Sequence, residues 1–475
     1  MDSLSCFPLV SVIIPTFNRP DYLVLTVESV LEQTYPNLEI IVVDDASTDN
    51  TPQVMSAYKD QIQYIREPVN TGGEQVYLTG LNAARGKYIN FLDHDDLMYP
   101  QKIALQVQLL ESDEQLCMVH CGYHHINEDG QLLETITNLP EGFVLAELLR
   151  GDFIWSGAPL IRRSCIDQSD IAKSLFWCSA DWARVLAICL LGKPVACIQG
   201  PLGAYRILPH SDISNVHGLE EWVIPLLEEV FSHPLFPKEL LEMRAEAFAR
   251  MRFFLACRYY ASHQWQDGKR NLDAAVLGFP QVFQNRNALE DKLCEDALGV
   301  RVIDAEEFIN GMLENLSPTT KFIADLRPHL FSRIHLGIAL RLLASGKKNE
   351  AQDHLIHAHA YDPELFAQKH LYAGLIVRYC LLLPVDEKMG FIQDVINLWP
   401  DEKPLTNEEK RYLNGWFLTS LTIYDHATCH SPINTIKEGA QALLQSPGAL
   451  KNRGFRLTML CAIQEFFSVN HRRLR

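Results

Sequence analysis

Three short apolar runs, rich in β-branched residues and each ending in polar ones, set the tightest limit on what this chain can fold into. They are "LVSVIIPTF" (9–17), "LEIIVVDDAS" (38–47) and "KYINFLD" (87–93). Unbroken apolar character suits strands covered on both faces, the usual state of a parallel sheet. Helical segments separate them. Pro20 and Asp21 open one in which Leu23, Val27, Val30 and Leu31 share a face. After the capping cluster "STDNT" a second helix runs through Tyr58, "IQYIRE" returns as strand, and "GEQVYLTGLNAARG" is helix with a stop at Gly86. Strand–helix–strand units of this kind build a parallel sheet, and ligands collect at the carboxyl ends of its strands. Pro15-Thr16, Asp44-Asp45 and Asp93-His94-Asp95 all fall at such ends, so three distant clusters are expected on one rim.

Further along, "LCMVHCGYHHI" and "QLLETIT" flank the turn sequence "NEDG" and predict a hairpin. "SADWARVLAICLLGKP" predicts a helix ended by glycine and proline, and "VACIQGPLGAYRI" an extended return. "GLEEWVIPLLEEVF", from Gly218, is an amphipathic helix expected to pack Trp222, Ile224, Leu226, Leu227 and Val230 inward. Beyond about His217 the texture is helical, which predicts two domains, 1–216 and 217–475. Three equally long segments in the second half resemble one another: "ASHQWQDGKRNLDAAVLGFP", "ASGKKNEAQDHLIHAHAYDP" and "LLLPVDEKMGFIQDVINLWP". They resemble the second half of a tetratricopeptide-type hairpin. Their closing prolines lie 83 and 37 residues apart, whereas a regular array keeps a period of about 34. The expectation is therefore a helical, repeat-like domain.

With 475 residues the chain exceeds one ordinary core. Its net charge of -17 and the lack of a long basic block exclude nucleic acid as main partner, since "HRRLR" is only a short basic tip. The start has no signal-peptide pattern, and "LYAGLIVRYCLLLPV", interrupted by Arg378, is too short to cross a bilayer. Twelve cysteines without a CxxC pair fit a reducing compartment. Cytoplasmic placement is expected. "CMVHCGYHH" offers Cys117, His120, Cys121, His124 and His125, but alternation on a strand divides them between two faces, so core thiols and hairpin histidines are expected rather than zinc.

In "FLDHDD", Asp93 and Asp95 stand two residues apart at a strand end. Such a pair suits Mg2+ or Mn2+, hard cations that bridge carboxylates to phosphate oxygens. An acidic turn alone is a common solvated loop. Its surroundings are less common: "VSVIIPTFNRPDYLVLTVESVLEQTYPNLEIIVVDDASTDNT", then "NTGG", then "ARGKYINFLDHDD". In order and spacing this resembles the family 2 inverting glycosyltransferases of GT-A fold, over about the first hundred residues and more weakly to about Ser214. The resemblance implies an α/β fold: a GT-A, Rossmann-like nucleotide-sugar-binding domain, followed here by a mainly α-helical one. It places Pro15, Thr16 and Asn18 near the base, with Asp45 on the nucleoside and Asp44 beside it. Asp93 faces the sugar and ribose, and Asp95 is foremost as direct ligand of a Mn2+ or Mg2+ cofactor. Asp96 braces the turn. Loop bracing through backbone amides is the competing role for Asp44 as well.

An inverting transfer needs a base for the acceptor proton. The family places it at a helix start, often as Glu-Asp; the matching stretch "WCSADWARVLAI" makes Asp181 the candidate, with Ala180 where the Glu is usual. Capping its own helix is the plainer role for Asp181. "YRILPHSDIS" resembles the family's returning segment, where His210 would complete the metal site or touch the diphosphate and Arg206 would neutralise phosphate charge. A second departure follows "NTGG": the family's Ala-Arg-Asn, whose arginine helps bind the nucleotide, is replaced near Tyr77.

The function implied is metal-dependent, inverting transfer of a sugar from a nucleotide-diphosphate donor, a UDP-sugar foremost, to a saccharide or lipid-linked acceptor in polysaccharide or glycolipid precursor synthesis. Processive synthases carry membrane helices and a Gln-x-x-Arg-Trp motif, which this sequence lacks, so single additions are expected, with peripheral association at the inner membrane face left open. The helical half is expected to serve an acceptor, a protein partner or self-association. Two rivals stand beside this. One is a degenerate transferase serving as a binding scaffold, for which Tyr77 and Ala180 speak. The other is a nucleotidyltransferase, against which the missing glycine-rich phosphate loop counts.

Overall fold

A computed structural model of the chain describes residues 7–167, 181–208 and 215–363, with scattered positions between 376 and 398. Contacts between backbones divide it into two compact units, Met1–Arg258 with Ala274–Val282, and Tyr259–Asp273 with Phe283–Arg475.

The first unit is α/β. Its strands are β1 (Val10–Thr16), β2 (Leu38–Asp44), β3 (Gln63–Arg66), β4 (Tyr88–Phe91), β5 (Leu97–Met98), β6 (Met118–Ile126), β7 (Leu132–Ile136), β8 (Leu160–Arg162) and β9 (Val195–Arg206). The sheet order is β3-β2-β1-β4-β8-β6-β9-β5, with β7 paired to β6. β1, β2, β3 and β4 are mutually parallel, while β8 runs antiparallel to both β4 and β6. All seven residues of β1 and all four of β4 are buried, as the unbroken apolar runs require. β4 and β5 are joined by only Leu92–Asp96, and that segment is itself turned by an Asp96 N–H to Asp93 carbonyl bond of 3.1 Å. Since β5 lies four places from β4 in the sheet, the sheet curls to bring its far edge back.

Helices α1 (Pro20–Leu31), α2 (Thr51–Met55) and α3 (Gly73–Ala83) follow their strands as expected, α2 tightening into a 3-10 turn through Tyr58, and a further helix, α4 (Lys102–Ser112), follows β5. α5 (Leu145–Arg150), α6 (Arg163–Asp167), α7 (Asp181–Cys189), α8 (Val216–Ser232) and α9 (Arg244–Ala261) complete the series up to the division between units. The "NEDG" hairpin is present as β6–β7, closed by an Asn127 N–H to Gln131 carbonyl bond of 2.9 Å. α8 packs through Leu219, Val223, Leu226, Leu227 and Val230, leaving Trp222 and Ile224 half-buried rather than central. Among the described residues no helix is long and apolar enough to cross a membrane, and the described cysteines form no disulfide.

The second unit is helical: α11 (Arg286–Ala297), α12 (Ala305–Glu314), α13 (Arg327–Ala344) and α14 (Lys348–Tyr361). Another helix, α10 (Trp265–Gly278), and α14 are the helices of the first two similar segments, 14 residues each. Each is entered through a residue in the left-handed region, His263 at φ 58° and Gly346 at φ 79°, at the same place in "ASH" and "ASG". The shared sequence is therefore a shared turn, in which glycine is the unstrained residue. The third segment lies mostly outside the described residues.

Candidate active site

Parallel register fixes the rim. Thr16 stands beside Asp44 on β2, and Ile13 beside Phe91 on β4, so the residues that follow β1, β2 and β4 emerge together. Asn18, at φ 51°, ties two of these ends. Its amide N–H donates to Ser47 Oγ at 3.0 Å, and its Oδ1 accepts from Thr48 N–H at 2.7 Å. Pro15 offers its carbonyl to His94 Nδ1 at 3.2 Å. The Thr16 hydroxyl is buried on this rim with no hydrogen-bond partner.

The two acids after β2 hold different things. Asp44 is fully buried and accepts from Ser47 N–H at 2.8 Å and from the Tyr64 hydroxyl, with Arg66 Nε at 3.4 Å. It braces its own loop. Asp45 Oδ1 accepts from both N–H and hydroxyl of Thr71, at 2.8 and 2.9 Å, which anchors the "NTGG" turn ahead of α3.

The acidic turn divides in the same way. Asp96 has no exposed surface; its Oδ2 accepts the Trp155 indole N–H at 2.5 Å and its Oδ1 the Arg206 amide at 2.9 Å. Burial, with Asp95 and Asp93 alongside, pushes its carboxyl well above the usual range. Asp96 is thus committed to the turn, as is Thr26, whose hydroxyl reaches the His94 and Asp96 carbonyls. Asp95 is raised chiefly by burial, with His94 pulling the other way and Asp93 adding to the rise. Asp93 Oδ1 accepts the Tyr77 hydroxyl at 2.6 Å. Two oxygen-only side chains crowd one turn here, and a buried unpaired hydroxyl lies on the same rim. That donor set fits a hard divalent cation.

Arg206 is placed differently from the phosphate contact expected of it. Its Nε donates to the Asp95 carbonyl at 2.9 Å, its Nη1 to the Asn127 and Glu128 carbonyls at 3.0 Å, and its guanidinium covers the Tyr22 ring at 5.0 Å. It clamps the acidic turn to the β6–β7 hairpin. His210 and Ala180 lie outside the described residues.

Asp181 begins α7 and lines a cleft with Phe91, Ser156, Pro159, Ile161 and Arg184. Its side chain is 34% exposed. Enclosure by protein pushes its carboxyl up to about 6; Arg184 opposes the rise and Asp93 adds to it. Asp93 is therefore near enough to be felt at Asp181. A charged group that the sequence did not single out interacts with both acids. Arg184, three residues after Asp181, pairs with its carboxylate and donates to Ser156 Oγ at 3.2 Å. Its guanidinium lies 4.4 Å from the Tyr77 ring and 5.2 Å from the Phe91 ring. Arg184 is 5% exposed, yet Asp181, Tyr77 and Asp93 outweigh burial and hold it charged. The i,i+3 spacing of two opposite charges at a helix start was the available signal. The zinc-capable strand residues bond separately instead: His120 Nε2 to the Pro140 carbonyl, His124 Nδ1 to the Tyr99 hydroxyl, and His125 to Glu134.

Known proteins bear on this geometry. The family described as Glycosyl transferase family 2 matches residues 11–162. An uncharacterized glycosyltransferase of Rickettsia prowazekii is 40% identical over 127 residues, covering 26% of this chain and 40% of that protein. The chain spans about a fifth to two fifths of the length of the rickettsial relatives it matches. The Escherichia coli enzyme UDP-Glc:alpha-D-GlcNAc-diphosphoundecaprenol beta-1,3-glucosyltransferase WfaP is 37% identical over 134 residues, 28% of this chain and 53% of that one. TuaG of Bacillus subtilis, a glycosyltransferase provisionally assigned to teichuronic acid biosynthesis, is 30% identical over 211 residues, 44% of this chain and 82% of that protein. That match covers more than four fifths of TuaG, and with it the chain belongs to glycosyltransferase family 2.

Proposed function

We propose that the chain transfers a sugar from a nucleotide-diphosphate donor to an acceptor hydroxyl with inversion at the anomeric carbon. One observation carries this. Asp181, a carboxylate with its titration moved up to about 6, begins a helix where it pairs with Arg184 and feels the charge of Asp93 in the acidic turn, while its side chain stays partly exposed. A base near neutrality is suited to accept a hydroxyl proton, and one opposite the diphosphate site is placed for in-line attack. Asp93 and Asp95 would hold a Mn2+ or Mg2+, which would supply Lewis-acid stabilisation of the leaving diphosphate. Pro15, Thr16, Asn18 and Asp45 line the nucleoside side. Arg184 keeps Asp181 ionised and brings a fixed positive charge beside Tyr77, where the family's arginine is missing.

The names of two relatives support the finer reading. WfaP carries UDP-Glc and a diphosphoundecaprenol acceptor in its name, and TuaG is placed in teichuronic acid synthesis. A UDP-sugar donor and a saccharide or lipid-linked acceptor follow as the proposal, with work at the inner membrane face. The transferase portion is assigned to 1–216, and 217–475 to holding an acceptor or partner. His210 remains the candidate third ligand.

The Arg184–Asp181 pair favours a second reading, since a base locked in an ion pair would leave a scaffold that binds donor without turning it over. Calorimetric titration of UDP and GDP, with and without Mn2+, into wild type and Asp95→Ala separates the outcomes. Metal-dependent binding lost in the variant supports a donor site and identifies the base. Binding without slow donor hydrolysis or transfer would leave the scaffold. No nucleotide binding would sink both.

A further inference from the structure

The helical unit holds a cluster that no part of the transferase reading uses. Glu306 in the first turn of α12, His335 in the middle of α13 and His354 on α14 bring one ligand atom each to within 4.8 Å of one another. The two imidazoles face through the same atom: His335 Nδ1 lies 2.8 Å from His354 Nδ1. Glu306 Oε1 is 3.6 Å from His335 Nδ1. We propose that Glu306, His335 and His354 form a binding site for a borderline divalent cation, Zn2+ or a first-row neighbour, that pins α12, α13 and α14 together.

The spacing fits. In a tetrahedral zinc site with metal–ligand distances of about 2.0–2.1 Å, ligand atoms stand about 3.3 Å apart, and the observed 2.8 and 3.6 Å lie on either side of that value. Small rotations of two side chains would open room for the ion. Two imidazoles with one carboxylate also select the ion. Mg2+ and Ca2+ prefer oxygen-only shells, whereas imidazole suits zinc, copper, nickel and iron.

The surroundings hold the ligands in place. His335 is 3% exposed and stacks on Tyr361 at 5.5 Å and 14°. The Ser332 hydroxyl, one turn earlier on α13, donates to the Ala358 carbonyl of α14 at 2.6 Å, which fixes the two helices in register. Packing of this kind around a ligand sets its orientation before an ion arrives. His357, three residues after His354 and with its ring 5.2 Å from that of His335, stands on the same face near the fourth position. A hydrogen-bonded histidine pair with no ion is the competing account of the same atoms.

Calorimetry with Zn2+ on the EDTA-stripped full chain, in excess Mg2+ to fill the oxygen-only rim of the other unit, tests this. One Zn2+ per chain is expected, with a higher unfolding temperature in its presence. His354→Gln and Glu306→Gln should each weaken binding by at least about tenfold and abolish the thermal shift, with helicity unchanged by circular dichroism. Co2+ in place of Zn2+ should give the visible absorption of a tetrahedral nitrogen-containing site in wild type alone. No saturable binding to wild type, or equal affinity in both variants, would overturn the site and leave only the hydrogen-bonded pair. Neither result touches the transferase proposal, whose acids lie in the other unit.

Discussion

Asp181 is pulled in two directions: enclosure and Asp93 favour its proton, while Arg184 favours its charge. As the proposed base it must be ionised, so kcat/KM should fall as pH drops below about 6 and level off above. Asp181→Asn should lower kcat by about 10²–10⁴ with nucleotide affinity unchanged. Arg184→Met removes the opposing cation, and the acid limb of the profile should move to higher pH; an unmoved limb would mean that Arg184 does not act through Asp181. Tyr77→Phe keeps the ring under the guanidinium but removes the donor to Asp93, which should weaken donor binding by about 0.5–1.5 kcal/mol, read by titration of the nucleotide. The carboxylates were legible because strand ends and acidic pairs mark themselves in a sequence. Which partners each would find was not. Asp44 is held by Tyr64, Asp45 by Thr71, and Asp96 by Trp155 and the Arg206 amide, groups brought by the fold from 20 to 110 residues away.

Elements were easier to foresee where one pattern decides them. β1 and β4 are buried on both faces and could hardly be anything else, and the "NEDG" turn sets the β6–β7 hairpin by itself. α8 shows where pattern reading slips. Trp222 and Ile224 are apolar enough to belong to the inner face, yet helical geometry gives that place to Leu219 and Val223. Gly86, expected as a helix stop, has a tighter reason to be glycine. A Cβ there would lie 2.6 Å from the Ser11 backbone nitrogen and 2.7 Å from the Tyr88 carbonyl oxygen, where β1 and β4 meet. Because the obstructing atoms are backbone, Gly86→Ala should destabilise by about 1–3 kcal/mol, measured by urea unfolding, and should loosen the rim that these strands carry.

At the scale of the whole molecule, buried histidines set the acid limit. His120 and His124 are both pushed down to about 4 by burial. Their ordinary value is 6.5, so an unfolded chain gains their protons first as pH falls. The contribution of these two groups is therefore full above about 6.5 and declines down to about 4, by up to about 1.4 kcal/mol per pH unit for each; the raised carboxyls of Asp181 and Asp96 work the opposite way. Relative to wild type, His120→Asn should gain in unfolding midpoint as pH is lowered from 7 to 5, and an unchanged difference would mean that His120 does not titrate on unfolding.

The mixed order of the sheet bears on how the protein is made. β5 has no neighbour until β9 arrives, at Leu97 with Ala204 and Met98 with Gly203. The carboxylate of Asp96 waits for an amide 110 residues downstream. Contacts so distant form late, and domains acquire structure from the N-terminus during synthesis. A nascent chain of a hundred residues therefore already carries the acidic turn but not the strand that shapes it. The acidic turn is completed only once Arg206 has cleared the ribosome, by which time the helix that begins at Asp181 has already been made.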